Sequence, residues 1–247
     1  MANWNDPQPR RPGFGASPSL DGTATSRAAY DMGLRRHMLS IYNYMASGVL
    51  LSGIVAMLFA RSGLAAQVLG TPLQWVIALS PLGFVFGMSM GANRMQTSTL
   101  QMLFWAFCGV MGLSLSTIFL VFTGASIATT FFATAGAFAG LSLYGYTTKK
   151  NLSAMGSFMV MGLIGILIAM VANIFLQSSA LNMAISVLGV LIFAGLTAYD
   201  TQRLKDQYYQ LAGTEFAGKA VVLGALSLYL DFINMFQFLL SFLGNRN

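Results

Sequence analysis

A carboxylate lies in the middle of an apolar stretch near the end of the sequence, where residues 224–242 include Asp231. Counted from a helix start near Ala220, Asp231 falls roughly 16 Å along the helix axis, close to the midplane of a bilayer. An ionised aspartate there costs about 2.5–3.5 kcal/mol. Such an acid is either part of a functional site with a partner, or a protonated side chain that hydrogen-bonds a neighbouring helix.

Asp200 is the second acid in or bordering an apolar stretch, at the end of the segment before the one that carries Asp231. Consecutive spans run antiparallel, so Asp200 could approach Asp231, and two carboxylates within about 4–6 Å resist ionising together and share a proton. Such a pair would sense pH. The alternative is an interfacial acid offset by Arg203. The five other acids lie in the N-terminal region or the last loop: Asp6, Asp21, Asp31, Asp206 and Glu215.

Composition places the chain in a membrane. Of 247 residues, 56% are hydrophobic and 8% are charged, and the mean hydropathy is +0.67, whereas soluble domains average about 25% charged residues. Cys108 is the single cysteine, which excludes a disulfide framework and a cysteine metal cluster. His37, the single histidine, precedes the first apolar stretch, where we expect it to be solvated at the interface.

The apolar stretches predict an all-α polytopic membrane protein with two regions. Residues 1–30 are rich in Pro, Gly, Ser and Arg without hydrophobic periodicity, and are interpreted as a disordered cytoplasmic tail. Residues 31–247 are predicted to form a seven-helix transmembrane domain, and residues 28–41 to form a short interfacial helix that leads into the membrane. The predicted spans, each near the roughly 20 residues needed to cross a bilayer, are 42–60, 73–92, 99–122, 127–147, 154–176, 182–202 and 220–243.

Basic residues predict the orientation. With the N-terminus inside, eleven Lys and Arg residues lie on the cytoplasmic side, and only Arg61 and Arg246 lie outside. This bias predicts a cytoplasmic N-terminus and an external C-terminus. The formal net charge of +6 is thereby explained by topology, so nucleic acid is not an expected partner.

Small residues predict where helices pack closely. Ala135, Gly136, Ala139 and Gly140 form one small-residue face, and Gly156, Gly162 and Gly165 offer another in the next span. Such faces let backbones approach in lipid, and we expect them to pack within the bundle rather than between copies of the chain.

Two segments around the aspartates resemble the signatures of the Bax-inhibitor-motif membrane family. They are residues 198–202 (AYDTQ) and 227–234 (SLYLDFIN), and residues 140–153 are similar to the bacterial members. The resemblance covers roughly residues 30–247. It implies seven helices with the last one central and enclosed by the other six, and a pH-sensitive calcium leak gated by Asp200 and Asp231.

The resemblance also implies roles for neighbouring residues and a location. Arg94, at the inner end of the second span and the best-placed cation for the two aspartates, would pair with them in the closed state. Asp231 would hold a calcium ion transiently, Tyr229 and Asn234 are candidate pore-lining residues, and calcium is the permeant ion rather than a cofactor. The expected partners are the lipid bilayer, calcium and other membrane proteins, and the expected location is a bacterial inner membrane. One departure is that residues 73–92 contain no acid, whereas some members carry one in this span.

Two other function classes compete with the channel. An intramembrane aspartyl protease also uses two aspartates on adjacent helices, but Asp231 follows Leu230 rather than glycine, and no proline occurs after Pro81. A serine protease would need a histidine within a span. We therefore expect no enzymatic activity. A regulator that modulates other membrane proteins without conducting ions stays open, and ion flux through the purified protein separates it from the channel.

Overall fold

The computed structural model describes residues 20–68 and 70–246, with side chains from residue 31 onwards. Residues 1–19, which hold most of the predicted tail, lie outside the described residues. The chain divides into two compact units, one ending at Arg36 and one beginning at His37. The described part of the first unit is helical, and the second unit holds all the elements discussed below.

The described residues are almost entirely helical, as their composition predicts. They form nine helices, α1 Leu20–Arg61, α2 Leu64–Val68, α3 Pro72–Gly91, α4 Thr97–Leu115, α5 Ile118–Val121, α6 Gly124–Thr147, α7 Ser153–Leu176, α8 Ser179–Leu211 and α9 Phe216–Leu243. Among these residues, seven segments are long and apolar enough to cross a membrane, namely α1 from Asp31, α3, α4 with α5, α6, α7, α8 and α9. The number of spans and their order are therefore confirmed.

Two helices extend beyond the predicted spans. Helix α1 begins at Leu20, so it includes residues 20–30 that were assigned to the tail, and it continues through residues 28–41 without an interfacial break. Helix α8 continues nine residues past the predicted end of the sixth span, and only residues 212–215 separate it from α9. Hydropathy marks the part of a helix that contacts lipid, whereas the helix itself continues into polar sequence.

Helix α9 is the most deeply buried of the seven spans. Half of its most apolar window is buried, a larger share than in any other described span. It packs most extensively against α8, then against α6 and α4, and it reaches α1 because the hydroxyl groups of Ser52 and Tyr229 lie 2.6 Å apart. These contacts make α9 central. Enclosure by all six other spans goes further than these contacts and stays a prediction.

Side chains of α8 fasten its C-terminal half to α6 and to the loop between α6 and α7. The Gln202 amide donates to the Lys150 carbonyl and accepts from the Leu152 amide, both at 2.8 Å. Lys205 donates to the carbonyl of Tyr146, also at 2.8 Å. We call these contacts the Gln202 clamp. It fixes the part of α8 that carries Asp200.

His37 corrects one expectation. Its side chain is 9% exposed rather than solvated, and its ring centroid lies 5.2 Å from that of Tyr208 on the polar extension of α8. The prediction failed because it assumed that α8 ends near Gln202, whereas the extra turns of α8 cover this histidine.

Candidate functional site

Asp200 lies in a three-residue polar cluster between α8 and α9. Arg203, one turn further along α8, places Nη2 at 3.3 Å from Asp200 Oδ1. Ser227 on α9 donates its hydroxyl proton to Asp200 Oδ2 and accepts from Arg203 Nη2 at 3.1 Å. Asp200 is 6% exposed. A carboxylate buried this deeply requires such partners, because an unpaired charge would be costly to bury.

Asp231 lies one helical turn beyond Ser227 on the same face of α9, near the middle of the helix. It is 5% exposed, and its Oδ2 atom is buried without a hydrogen-bond partner. Ser227, one turn before it, is bonded to both Asp200 and Arg203. The structure thus brings the two predicted aspartates into one electrostatic site, and it leaves Asp231 as the member with unused acceptor capacity.

Arg94 does not occupy the position predicted for it. It is exposed in the turn after α3, and among the described residues the ion pair to the aspartates is made by Arg203 instead. The pairing of Asp200 with Arg203 was the alternative left open in the sequence. The (i, i+3) spacing of Asp200 and Arg203 puts them on one face of α8. Arg94 instead follows α3, and α3 packs mainly against α4.

Tyr229 is a packing residue in this structure. It is 0% exposed, its ring makes edge contacts with Phe104 and Phe107, and its hydroxyl is bonded to Ser52. It also lies on the face of α9 opposite Ser227, so it cannot line the same path as Asp231. Its pore-lining assignment is corrected.

Asn234 lies on the same side of α9 as Asp231 and is half-buried. It belongs to a polar stripe along α9, spaced by three or four residues and therefore confined to one side of the helix. The stripe spans about 21 Å along the axis at 1.5 Å per residue. Sequence reasoning missed most of it, although the spacing was visible. Its members are Ser227, Asp231, Asn234, Gln237 and Ser241.

Each end of the polar stripe adjoins a cavity. At one end, Arg203, which is bonded to Ser227, lines a cavity of about 400 Å³ between α8 and α9, termed the Arg203 cavity. At the other end, Gln237 and Ser241 line a cavity of about 450 Å³ together with Arg246, termed the Arg246 cavity. The stripe is therefore the polar connection between two recesses of the bundle.

The C-terminal segment partly covers the Arg246 cavity. The Thr123 amide donates to the Asn245 carbonyl at 3.1 Å, and the Asn245 amide donates to Ser126 Oγ at 2.8 Å. Arg246 forms an isolated β-bridge with Phe122, and its guanidinium carbon lies 5.9 Å from the centroid of that ring. These contacts hold a positive charge at this end of the stripe.

The described residues contain no group of three or more His, Cys, Asp or Glu side chains able to hold a metal ion. A calcium ion takes six to eight oxygen ligands. Asp231, with Asp200 and the hydroxyl and amide oxygens of the stripe, offers fewer charged ligands than a storage site would need.

Comparison with known proteins extends over nearly the whole chain. Residues 34–247 match the family described as inhibitor of apoptosis-promoting Bax1. The inner membrane protein YbhL of Escherichia coli K12 is 43% identical over 233 residues, which cover 93% of this chain and 98% of YbhL. An uncharacterised protein of Caulobacter vibrioides is 48% identical over 87% of this chain and 91% of its own length. The family match extends from within the first span to the end of the chain, and the chain is an integral membrane protein of the Bax inhibitor family.

Proposed function

We propose that this protein is a pH-sensitive calcium leak of a bacterial inner membrane, in which Asp200 and Asp231 form the gate and no enzymatic step takes part. The observation that carries the proposal is Asp231. Its carboxylate lies near the middle of α9 with Oδ2 buried and unpaired, on a polar stripe that runs between two cavities. A cation that crosses the bundle along this stripe would meet its strongest acceptor there.

We interpret this arrangement as the closed state of the proposed gate. Arg203 pairs with Asp200, and Ser227 joins that pair to α9. The Arg203 cavity also carries Lys219, so two positive charges oppose the entry of a cation from this end. Arg203 must leave this position before calcium can reach Asp231.

The proposed gate responds to pH through the number of protons on the two carboxylates. One arginine can balance one ionised aspartate, so the site is neutral when the pair holds one proton. Loss of that proton leaves a net negative charge in a buried site, which favours the entry of water or a cation. We therefore expect flux to rise as pH rises through the titration of the pair.

Calcium flux into proteoliposomes that contain only the purified protein tests the proposal. Asp231→Asn should abolish the pH dependence of flux and lower flux about tenfold or more, because it removes the carboxylate charge near the middle of α9. A tenfold loss corresponds to about 1.4 kcal/mol of lost stabilisation of the cation. Asp200→Asn should abolish the pH dependence but keep part of the flux. Asp206→Asn, an exposed acid on the same helix, is the matched control and should behave as the wild type.

The double variant completes the experiment. If the aspartates act as one unit, Asp200→Asn with Asp231→Asn should resemble Asp231→Asn alone. Additive losses with pH dependence kept in either single variant would place the gate elsewhere. A wild-type protein that conducts no ions at any pH would contradict the channel and favour the membrane regulator, since a regulator need not conduct.

A further inference from the structure

The Arg203 cavity is lined by positive charge and amide groups. Its charged lining residues are Arg203 and Lys219, and no acidic side chain lines it. Three amide side chains complete the polar part of the lining, from Asn93, Gln207 and Gln210. The guanidinium and ammonium groups only donate hydrogen bonds and the amide groups can both donate and accept, so the polar part of the lining can surround an anion with donors.

Arg203 has donor capacity that the protein itself does not use. Its Nη2 group serves both Asp200 and Ser227, but its Nε atom is buried without a hydrogen-bond partner. The side chain is 40% exposed, so it is accessible from the cavity. A buried N–H group without a partner is unfavourable, and an oxygen from a bound molecule would remove that cost.

Lys219 is held at the same recess from the other helix. Its ammonium group lies 4.8 Å from the centroid of the Phe216 ring, and both residues line the cavity. The cation–π contact orients the ammonium without neutralising it. The neighbouring acids Asp206 and Glu215 are exposed and are not part of the lining, so the positive charge of Lys219 is available to a ligand.

We propose that the Arg203 cavity binds a phosphate group through Arg203 and Lys219, with the amide side chains as further donors. A guanidinium and an ammonium group are the usual protein ligands of phosphate oxygens. The volume of about 400 Å³ accommodates a phosphate ester rather than an ion alone. The phosphate group belongs either to a soluble ester or to the headgroup of an anionic phospholipid.

Binding would compete with Asp200 for Arg203. The same guanidinium holds Asp200 and lines the cavity, so a phosphate group that recruits it weakens the ion pair between Arg203 and Asp200. This consequence rests on the proposed function, whereas the binding site does not. The two are separated because binding is measured without ion flux.

Thermal unfolding of the full-length protein in detergent, with inorganic phosphate as the probe, tests the site. A ligand that binds the folded state raises the melting temperature as its concentration rises. We expect this rise for the wild type and for Lys149→Gln, an exposed cation outside the cavity, relative to chloride at equal ionic strength. Lys219→Gln should weaken the apparent affinity at least about tenfold, the factor that one charge-assisted hydrogen bond supplies.

A second experiment tests whether the phosphate group belongs to a phospholipid headgroup. The same three proteins are unfolded in nanodiscs of phosphatidylcholine, with and without phosphatidic acid. Stabilisation by phosphatidic acid that Lys219→Gln removes and Lys149→Gln keeps assigns the site to a headgroup, whereas the same pattern with phosphate alone assigns it to a soluble ester. If neither probe stabilises the wild type, or if Lys149→Gln loses as much as Lys219→Gln, the proposal is wrong.

Discussion

Arg203 sets the charge balance of the aspartate pair. It shares one guanidinium between Asp200 on its own helix and Ser227 on α9, so it acts both as a counter-charge and as a connection between two helices. An ion pair with one partly exposed member contributes little net stability, but the loss of Arg203 would leave the buried Asp200 carboxylate without its counter-charge. We therefore expect Arg203 to affect the balance between closed and open states more than the overall stability of the protein.

The first prediction compares two arginines. Arg203→Gln should raise calcium leak at neutral pH about tenfold, because a hydrogen bond to a charged group is worth about 1.5–3 kcal/mol and its loss leaves the Asp200 carboxylate without its counter-charge. Arg94→Gln, an exposed residue, should leave the leak unchanged. Proteoliposome flux measures both. A leak raised by Arg94→Gln alone would restore Arg94 as the closed-state partner and reduce Arg203 to a local counter-charge.

The second prediction concerns Ser52, which joins three helices. Its hydroxyl donates to the Cys108 carbonyl at 2.7 Å and lies 2.6 Å from the Tyr229 hydroxyl, and all three residues are buried. Ser52→Ala leaves the Tyr229 hydroxyl without this partner and should destabilise the protein by about 1–3 kcal/mol.

Tyr229→Phe is the matched control for Ser52→Ala. It removes the tyrosine hydroxyl and leaves Ser52 bonded to Cys108, so the loss should be nearer about 1 kcal/mol. Thermal unfolding in detergent ranks the two variants. Equal losses of stability in the two variants would show that the Tyr229 hydroxyl finds water or another partner in Ser52→Ala.

The sequence predicted part of this site. Asp200 and Asp231 were found because acids are rare and costly in apolar spans, and antiparallel neighbours bring them together. Arg203 and Arg94 could not be ranked, because sequence does not give the distance between α3 and α8. Ser227 could have been found, since it lies four residues before Asp231 and therefore on the same helix face.

At the scale of elements, glycines show which helices approach most closely. A Cβ atom at Gly145 of α6 would lie 2.2 Å from the carbonyl oxygen of Ala198 on α8, and one at Gly156 of α7 would lie 2.5 Å from the Tyr199 ring. Gly136 and Gly140, on the predicted small-residue face, have no atom near enough to meet a Cβ. Close packing was therefore predicted correctly for Gly156 but placed at the wrong glycines in α6.

The third prediction tests this assignment within one helix. Gly145→Ala should lower the melting temperature, because its methyl group would overlap the backbone of α8 and force the helices apart. Gly140→Ala is the matched control, and it should be neutral or stabilising by up to about 1 kcal/mol from helix propensity. Thermal unfolding checks both. A larger loss for Gly140→Ala would mean that the exposed face packs against another copy of the chain.

Helix ends were harder to predict than helix number. Seven apolar stretches separated by polar breaks make the number of spans easy to predict. The apolar stretch of the sixth span ends near Gln202, but the helix itself does not end there. Residues 203–211 continue the helix with polar side chains, and the Gln202 clamp and the Arg203 cavity depend on that continuation. The parts of the site that the sequence missed lie on this extension of α8 and on the polar stripe of α9.

At the scale of the whole molecule, the orientation of the bundle decides which cavity faces the cytoplasm. The fourth prediction follows from the basic residues. After Cys108→Ala, a cysteine in place of Thr214 should react only with reagents that reach the cytoplasm, and one in place of Ser62 only with reagents outside. Both positions are exposed, in loops at opposite ends of spans. Labelling of both from the same side would contradict the seven-span topology.

The Gln202 clamp has a mechanical consequence. Near Asp200, α8 is fastened to α6 and to the following loop by Gln202, by Lys205 and by the hydroxyl pair of Thr201 and Ser142 at 2.9 Å. The polar contacts described between α8 and α9 at the same depth all pass through Ser227. If the bundle opens where these polar contacts are fewest, we expect α6, α7 and α8 to stay together and α9 to shift against them.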